Sequence, residues 1–355
     1  MGAVVTVGVV GVGALGIHHA RIWKELEATG KVVLAGVFDI HPERAAAAAR
    51  RFQTQTFHSL EELADRCEAA SIVTPTSTHF EVGSFLLQKG LHVLIEKPLT
   101  TDHHLAEQLV KLAAAQDRIL QVGHVERFNP VYRYLRETAS DPRFIEVHRL
   151  SPYPHRSTDI GVILDLMIHD LDLVLSFVPH PLVSAEAVGV AVLSDSEDIA
   201  NARLHFANGC VANLTASRVS PERMRKIRVF SGAPHPCYIS LDYKAQSGYI
   251  YRLAPDTTPE SSLLHKLLRG RSSAVIGSFA GKKIVREPVP IAREEPLRLE
   301  LEHFLDCILA HRKPEVSGET ATRVLQLALD LTHQVRSRSD WHLDSPSGDP
   351  SHPRL

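Results

Sequence analysis

Two segments of the chain carry side chains of the types that general acid–base chemistry uses. Asp165 and His169 lie four residues apart in the segment 160–177, where the spacing of apolar residues predicts a helix. A carboxylate and an imidazole therefore share one helix face. Lys97 directly follows the apolar run 92–95, which predicts a buried strand. Together these groups could accept a proton and stabilise a developing negative charge, provided that the fold brings them together.

The same residues can also be interpreted as surface residues that have no catalytic role. The polar face of segment 160–177 fits a solvated helix flank on which Asp165 pairs with His169, next to Asp172 one turn further on. Lys97, taken alone, fits a solvated surface lysine. However, ligands of open α/β sheets bind at the carboxyl ends of the strands, which is where Lys97 would lie. This position favours the chemical interpretation.

A G-x-G-x-x-G motif follows the first predicted strand and opens a helix, which is the setting of a dinucleotide-binding loop. In this motif Gly11 permits a tight turn, Gly13 lets the backbone approach a pyrophosphate, and Gly16 lets the helix pack on the strand. The free N–H groups at the start of the helix, around Ala14 and Leu15, suit the phosphates. The motif predicts a bound dinucleotide, against the alternatives of a plain glycine turn or a flavin site.

Asp39 indicates which dinucleotide is bound. It ends the second predicted strand 23 residues after Gly16, near the position whose carboxylate accepts hydrogen bonds from the adenosine ribose hydroxyls. A carboxylate at this position repels a 2′-phosphate, so the sequence predicts NAD. His41 and Arg44 are close enough in sequence to leave NADP open.

The elements that must position these residues alternate between strand and helix in the first third of the chain. This alternation predicts a doubly wound parallel sheet of the Rossmann type, in an α/β fold. The predicted strands are 4–10, 32–38, 70–74, 92–95 and 119–122, and the predicted helices between them include 42–51, 78–89 and 102–116.

The pattern changes in the second half of the chain, where apolar and polar residues alternate. Segments 199–206 and 210–217 flank Asn208-Gly209 and predict an antiparallel hairpin. Further strands at 227–230, 238–241 and 249–253, with helices at 296–310 and 320–336, predict an α+β domain with a sheet of five or six strands. The predicted domains are 1–123, which binds the cofactor, and 124–336, which binds substrate and forms oligomers. An excursion or lid is predicted at 254–281, around a basic helix at 263–269, and a disordered tail at 337–355.

Composition excludes several classes of protein. The 355 residues hold 39 Lys and Arg against 41 Asp and Glu, so the net charge of −2 does not fit a nucleic-acid-coating surface. Four widely spaced cysteines without a C-x-x-C pair indicate neither a disulfide framework nor a zinc site, and we expect no metal. No apolar run is long enough to span a membrane. We expect a cytoplasmic protein.

Five motifs in order resemble the glucose–fructose oxidoreductase, inositol dehydrogenase and rhizopine-catabolism (Gfo/Idh/MocA) family across about residues 4–335. They are G-x-G-x-x-G at 11–16, Thr74-Pro75 followed by His79, Glu96-Lys97-Pro98, Val122-Gly123 followed by Arg127-Phe128-Asn129-Pro130, and Asp165-x-x-x-His169-Asp170. The resemblance implies a Rossmann domain followed by a domain with an open, mainly antiparallel sheet. It also implies a homodimer or homotetramer formed through that sheet.

The resemblance further implies roles for individual residues. Lys97 would be the catalytic lysine, His169 the proton-transferring residue, and Asp165 its companion or a ligand of a substrate hydroxyl. Which of Lys97 and His169 takes the proton stays open. The implied cofactor-binding residues outside the glycine loop are Asp39, Thr74, Pro75, His79, Glu96 and Lys97.

Within the family, segments 122–130 and 165–175 are most similar to the branch that contains UDP-N-acetylglucosamine 3-dehydrogenase. We therefore expect an NAD-dependent dehydrogenase that oxidises a sugar hydroxyl, the 3-hydroxyl of a UDP-N-acetylhexosamine. Arginine forks suit a diphosphate but equally form structural ion pairs. The alternatives are a dehydrogenase of a free sugar, polyol or other small carbonyl substrate, and a non-catalytic dinucleotide-sensing regulator. The expected substrate-binding residues are Arg127, Asn129, Arg149 and Arg156.

Overall fold

The computed structural model describes residues 4–153, 160–232, 234–254, 274–279 and 281–338. Arg156, the basic helix expected at 263–269 and nearly all of the expected tail lie outside these residues. Residues 337 and 338 of that tail are described and end the last helix. In the described part of the chain, no helix is long and apolar enough to cross a membrane.

The first sheet is parallel and has six strands in the order β3-β2-β1-β4-β5-β6, which confirms the predicted Rossmann sheet. The strand order reverses between β1 and β4, and ligands bind at such a switch point, outside the carboxyl ends of the strands. The strands are β1 (Val5–Val10), β2 (Val32–Phe38), β3 (Gln55–Thr56), β4 (Ala69–Ile72), β5 (His92–Glu96) and β6 (Leu120–Gly123).

Five helices cover the two faces of this sheet. Local signals explain several of their ends: Pro42 is the first residue of one helix, and the Asp102 side chain caps another by accepting from the N–H groups of His104 and Leu105. The helices are α1 (Gly16–Leu26), α2 (Pro42–Phe52), α3 (Leu60–Arg66), α4 (His79–Gln88) and α5 (His103–Ala115).

The second sheet has nine strands in the order β14-β15-β13-β12-β11-β7-β10-β9-β8. Every pair is antiparallel except β7 and β10, so the expected mainly antiparallel sheet is confirmed, with more strands than expected. The strands are β7 (Pro142–Leu150), β8 (Leu182–Val190), β9 (Ile199–Phe206), β10 (Val211–Ser217), β11 (Met224–Ser231), β12 (Cys237–Asp242), β13 (Ser247–Leu253), β14 (Ala274–Phe279) and β15 (Lys282–Pro288).

Four further helices follow the first sheet in the chain: α6 (Pro130–Thr138), α7 (Ile168–Phe177), α8 (Pro296–Leu309) and α9 (Gly318–Arg338). Helix α8 returns to the first sheet, where Phe304 packs in one core with Trp23. Helix α9 contributes Leu325 to the core of the first sheet and Leu331 to the core of the second. Helix α9, which follows both sheets in sequence, thus packs against the cores of both. The predicted domain boundaries stay a prediction.

Candidate active site

One cavity of about 540 Å³ lies between the carboxyl edge of the first sheet and the second sheet. It brings together the predicted glycine loop, through Leu15, and the predicted chemical residues Lys97, Asp165 and His169. Its remaining walls come from the segment after β6, from the second sheet and from the start of α8. They are Glu96, Val125, Glu126, Asn129, Arg149, Leu166, Arg225, Tyr243, Lys244, Gln246, Glu295, Pro296 and Leu297.

The glycine loop has the backbone that a dinucleotide requires. Gly11 has a φ of +85°, and a Cβ atom there would lie 2.7 Å from the carbonyl oxygen of Val73. A Cβ atom on Gly16 would lie 1.8 Å from the carbonyl oxygen of Gly11, so the helix can start this close to the strand only without a side chain. A Cβ atom on Gly13 would meet nothing within 4 Å. The space above Gly13 fits a pyrophosphate that approaches the backbone.

These surroundings predict that one alanine variant loses stability and that another loses affinity for NAD. Gly16→Ala should destabilise the apoprotein, because its methyl group overlaps the Gly11 carbonyl. Gly13→Ala should leave the melting temperature of the apoprotein unchanged and raise the Kd for NAD by about 10-fold or more, since one lost close contact of about 1.4 kcal/mol has this effect. Calorimetric titration with NAD and thermal melting measure the two quantities separately. Unchanged NAD affinity in Gly13→Ala would show that the cofactor does not lie over this loop.

Asp39 lies at the end of β2, as predicted, and its carboxylate orders the glycine loop. Oδ2 accepts from the N–H of Val12 at 2.9 Å, and Oδ1 accepts from the N–H of His41 at 2.9 Å. The side chain is half-buried and so remains accessible. A carboxylate anchored beside the loop fits ribose hydroxyls, because its remaining lone pairs can still accept hydrogen bonds.

Lys97 and Asp165 form the polar floor of the cavity. Lys97 Nζ donates to the backbone carbonyl of Asp165 at 2.6 Å and to its Oδ1 at 3.3 Å. The sequence predicts an α-helix through Asp165, but the structure has a π-helical turn at Ile163–Met167 before α7 begins. The wider turn presents two oxygens of one residue to one ammonium group. Such turns are frequent at functional sites.

His169 lines the same cavity and is a neutral base. Its Nδ1 is buried and has no hydrogen-bond partner among the described residues, so Nε2 is the ring nitrogen that faces the cavity. Burial, followed by the positive charges of Lys97 and Arg149, lowers the pKa of His169 well below its ordinary value. The imidazole is therefore unprotonated at neutral pH and can accept a proton.

Glu96 contacts both the backbone of Lys97 and the buried side chain of His19. Its Oε1 lies 3.2 Å from Nε2 of the buried His19, and its Oε2 accepts from the backbone N–H of Lys97 at 3.3 Å. Gly123 makes room for this carboxylate, because a Cβ atom there would lie 2.7 Å from Glu96 Oε1. Glu96 thus connects β5, β6 and α1 at the floor of the cavity.

His79 connects the loop that carries Thr74 to the segment after Lys97. Its Nε2 lies 2.9 Å from the carbonyl oxygen of Thr74, and its Nδ1 lies 3.0 Å from the carbonyl oxygen of Pro98. The ring is buried, and Pro75 beside it is exposed. The expected contacts of Thr74, Pro75 and His79 with the cofactor stay a prediction.

The predicted substrate-binding residues are only partly brought together. Arg149 lines the cavity but is buried, and its guanidinium forks onto Asp170 at 2.8 and 2.9 Å and reaches Glu126 at 3.2 Å. Asn129 is buried as well and caps α6, accepting from the N–H of Val131 at 3.1 Å. Their substrate contacts stay a prediction, as do those of Arg156, which lies outside the described residues.

Arg127 lies in a different place. It lines a second cavity of about 560 Å³ between α6 and α8. Its Nε lies 3.8 Å from Asp172 Oδ2, and its Nη2 donates to the carbonyl oxygen of Glu315 at 3.3 Å. A direct contact of Arg127 with a ligand in the first cavity is therefore not supported.

Two cations in the first cavity, Arg225 and Lys244, were not predicted from the sequence. Arg225 is half exposed and lies 3.5 Å from Glu126 Oε1, which is already shared with Arg149. Burial and the charge of Arg149 lower the pKa of Arg225, as expected of a cation that is incompletely neutralised. No local pattern singles out Arg225, because it shares one face of β11 with the buried Ile227, whereas the basic Lys226 and Arg228 lie on the other face.

Comparison with known proteins matches both parts of the chain to one family. The Gfo/Idh/MocA oxidoreductase family, with an NAD-binding Rossmann fold, matches residues 5–124, and the Gfo/Idh/MocA C-terminal domain matches residues 133–231. The chain belongs to the Gfo/Idh/MocA family. The predicted resemblance is confirmed, and with it an oxidoreductase that uses NAD.

One relative covers nearly the whole chain, and another covers half of it. UDP-N-acetylglucosamine 3-dehydrogenase of Acidithiobacillus ferrooxidans is 40% identical over 332 residues, which are 93% of this chain and 97% of that protein. Its solved structure superposes with a TM-score of 0.80 at 38% identity, over 94% of this chain and 98% of that one. An inositol 2-dehydrogenase of Leifsonia xyli is 33% identical over 51% of this chain and 55% of that protein.

Proposed function

We propose that the protein oxidises the 3-hydroxyl of UDP-N-acetylglucosamine, with NAD as the acceptor. The proposal rests on the similarity to the Acidithiobacillus ferrooxidans enzyme over 93% of the chain. It is supported by one observation above all: a single cavity holds the glycine loop, the Lys97–Asp165 pair, the neutral His169 and the cations Arg225 and Lys244. The cavity therefore offers separate groups for a cofactor, a reacting hydroxyl and an anionic substituent.

The bound NAD supplies the acceptor for the hydride that leaves the carbinol carbon. The chain's own residues handle the proton, because an alcohol is far too weak an acid to lose it unaided at pH 7. We assign His169 Nε2 as its acceptor, since this nitrogen faces the cavity and the ring is neutral. Lys97 stabilises the developing alkoxide charge, and Asp165 holds the ammonium group in place at 2.6 and 3.3 Å.

The UDP moiety is assigned to Arg225 and Lys244. Both lie on the wall that the second sheet contributes, and both are exposed enough to bind a diphosphate. Arg225→Met should raise the KM for UDP-N-acetylglucosamine by about 10-fold or more, because hydrogen bonds to charged groups contribute about 1.5–3 kcal/mol. Its kcat should stay within about two-fold, because the side chain binds the ground state and the transition state equally.

The test compares UDP-N-acetylglucosamine with myo-inositol in an assay of NADH formation. We expect turnover of the nucleotide sugar and little of the polyol. Turnover of myo-inositol alone would support the polyol alternative, for which the inositol dehydrogenase relatives provide the precedent. Binding of NAD without turnover of either compound would support the regulator alternative.

We also propose that the protein forms a homo-oligomer through the second sheet. The sheet face opposite its core carries an aromatic ladder across β7, β11, β12 and β13, with ring centroids 5.6, 4.6 and 5.0 Å apart. Exposed rings of this kind are enriched at protein interfaces. A monomer mass by light scattering at micromolar concentration would refute the proposal. The ladder residues are Phe144, Phe230, Tyr238 and Tyr251.

A cytoplasmic location is proposed on the state of the cysteines. All four are free thiols, and burial raises the pKa of Cys67 to about 12, which keeps that thiol unreactive. Unpaired cysteines are the usual state in a reducing compartment. Recovery of the protein in a periplasmic or secreted fraction would contradict this location.

A further inference from the structure

A buried histidine that the mechanism does not use lies directly behind His169. The ring of His124 meets the ring of His169 edge to face, with centroids 6.1 Å apart and an interplanar angle of 85°. His124 is 1% exposed, and its Nδ1 has no hydrogen-bond partner in the part of the chain that the structure describes. His169 thus has one nitrogen toward the cavity and a second, titratable ring on its other side.

Buried polar groups continue from His124 toward the second cavity. Asp172 is 1% exposed, and neither of its carboxylate oxygens accepts a hydrogen bond from a described residue. Its ion-pair partner is Arg127, whose Nε lies 3.8 Å from Oδ2. Arg127 lines the second cavity, which lies between α6 and α8 and shares no lining residue with the first. Asp172 and Arg127 therefore connect α7, the helix that also carries His169, to a separate opening, and the charge of Asp172 acts on His124.

The charges around His124 come from several elements and are mixed in sign. Asp172 on α7 and Glu96 at the end of β5 favour its protonated form, whereas Lys97 and Arg127 oppose it. Burial lowers its pKa, and the negative charge of Asp172 acts against this effect. Polar atoms buried without a protein partner are normally hydrogen-bonded to internal water.

We propose that His124 and Asp172 form a proton outlet from His169 to the second cavity. This inference rests on the proposed dehydrogenase function. Oxidation of the hydroxyl transfers a hydride from carbon to NAD and a proton from oxygen to His169 Nε2. His169 returns to its neutral form by releasing its Nδ1 proton through water to His124, since neither Nδ1 has a partner among the described residues. His124 passes a proton to water at Asp172, and that water passes a proton to bulk solvent at Arg127. After the product leaves, the neutral His169 ring exchanges its Nε2–H for Nδ1–H through solvent, with no net gain or loss of a proton, and Nε2 is free for the next turnover. The outlet matters because substrate and cofactor would block the front of the cavity.

The first experiment needs neither cofactor nor substrate. Exchange of the histidine C2 protons of the apoprotein in D₂O, followed by mass spectrometry, reports which rings are reached by water. A proton outlet requires His124 to exchange measurably over the period in which the exposed His18 exchanges fully. A ring packed in a dry core would keep its C2 proton, and this outcome would overturn the proposal whether or not the proposed function is right.

The second experiment measures turnover of UDP-N-acetylglucosamine by His124→Phe and His124→Gln. We expect kcat to fall by about 10²-fold, the lower end for loss of a proton-transfer group, with KM within about two-fold. The solvent deuterium isotope effect on kcat should increase, because proton transfer would then limit turnover. His124→Gln keeps a polar side chain in case the ring is needed for folding.

The matched control is His92→Gln. His92 is also buried, but it lies at the amino end of β5, on the opposite edge of the sheet from Lys97, and its Nδ1 accepts from Ile119. This variant should keep the wild-type kcat and isotope effect. Wild-type kcat in both His124 variants would overturn the outlet, as would a loss of kcat with an unchanged solvent isotope effect. Absence of turnover in the wild type would instead contradict the proposed function and leave the exchange experiment to decide.

Discussion

Lys97→Met should lower kcat by about 10²-fold or more while the Kd for NAD changes by no more than a few-fold. Methionine keeps much of the bulk of the lysine stem and removes only the ammonium group. That group lies at the floor of the cavity, 2.6 Å from the carbonyl oxygen of Asp165 and on the cavity wall that also carries His169. Its loss should therefore affect the charge that develops during reaction rather than the binding of the cofactor.

The same substitution should change the pH dependence of the reaction in a defined direction. Besides burial, the charge of Lys97 is the largest influence that lowers the pKa of His169. Without this charge the pKa of His169 should rise, so His169 becomes protonated at a higher pH. The acid limb of the kcat profile in Lys97→Met should therefore lie at higher pH than in the wild type.

Further variants are needed to interpret the effect of Lys97→Met. Lys89→Met removes a lysine from the exposed end of α4 and should behave as wild type. His169→Ala should lose turnover to a similar degree, and the double variant should be little worse than the poorer single variant, because both groups act on one hydroxyl. Near-wild-type turnover in Lys97→Met would show a solvated lysine without a catalytic role, and it would favour the regulator alternative.

The parallel sheet could be predicted from sequence because its strands are buried on both faces and read as unbroken apolar runs. The predicted limits 32–38 coincide with β2, and Asp102 caps α5 as its position suggests.

Helix α3 was missed because only Leu63 in it is buried, so it lacks an apolar stripe. Its capping box was a usable signal: Ser59 Oγ accepts from the N–H of Glu62, whose carboxylate accepts from His58.

Strand β7 was missed for a different reason. It is an inner strand of the second sheet, between β11 and β10, and the residues paired with it lie 67 to 89 positions further along the chain. Its alternation of apolar and polar residues is interrupted by charged side chains such as Arg149, which looks like a loop residue in sequence. The partner that makes its burial possible, Asp170, lies on a different element. Pairing over this distance cannot be derived from local patterns.

The side-chain positions in the site likewise differ in whether local sequence patterns could predict them. Lys97 and the glycine loop could be placed from sequence because strand direction alone sends them to one edge of the sheet. The positions of the arginines could not be predicted from sequence, because a guanidinium group binds a carboxylate of the protein as well as a diphosphate of a ligand. The π turn before α7 was also not predictable, because the heptad-like spacing of its apolar residues fits an α-helix.

Arg149→Met should destabilise the protein by about 3–5 kcal/mol, the usual result of removing one member of a buried ion pair. Burial alone would lower the pKa of Arg149, but the charges of Asp170 and Glu126 outweigh it and keep the guanidinium protonated. Methionine would leave both carboxylates buried in the protein interior without this partner, each facing a like charge. Urea unfolding of the apoprotein, followed by circular dichroism, measures the loss without any ligand.

Arg225→Met is the matched control for this prediction, because Arg225 approaches the same Glu126 from the exposed side of the cavity. Its unfolding free energy should fall by less than about 1 kcal/mol, because Arg225 is half exposed and the buried Glu126 keeps its contact with Arg149. The two substitutions should thus have different effects. Arg149→Met should lower the stability of the protein, and Arg225→Met should raise the KM for the nucleotide sugar. If Arg149→Met kept the wild-type stability and instead raised KM, Arg149 would be a direct substrate ligand, and its ion pairs with Asp170 and Glu126 would have to open when substrate binds.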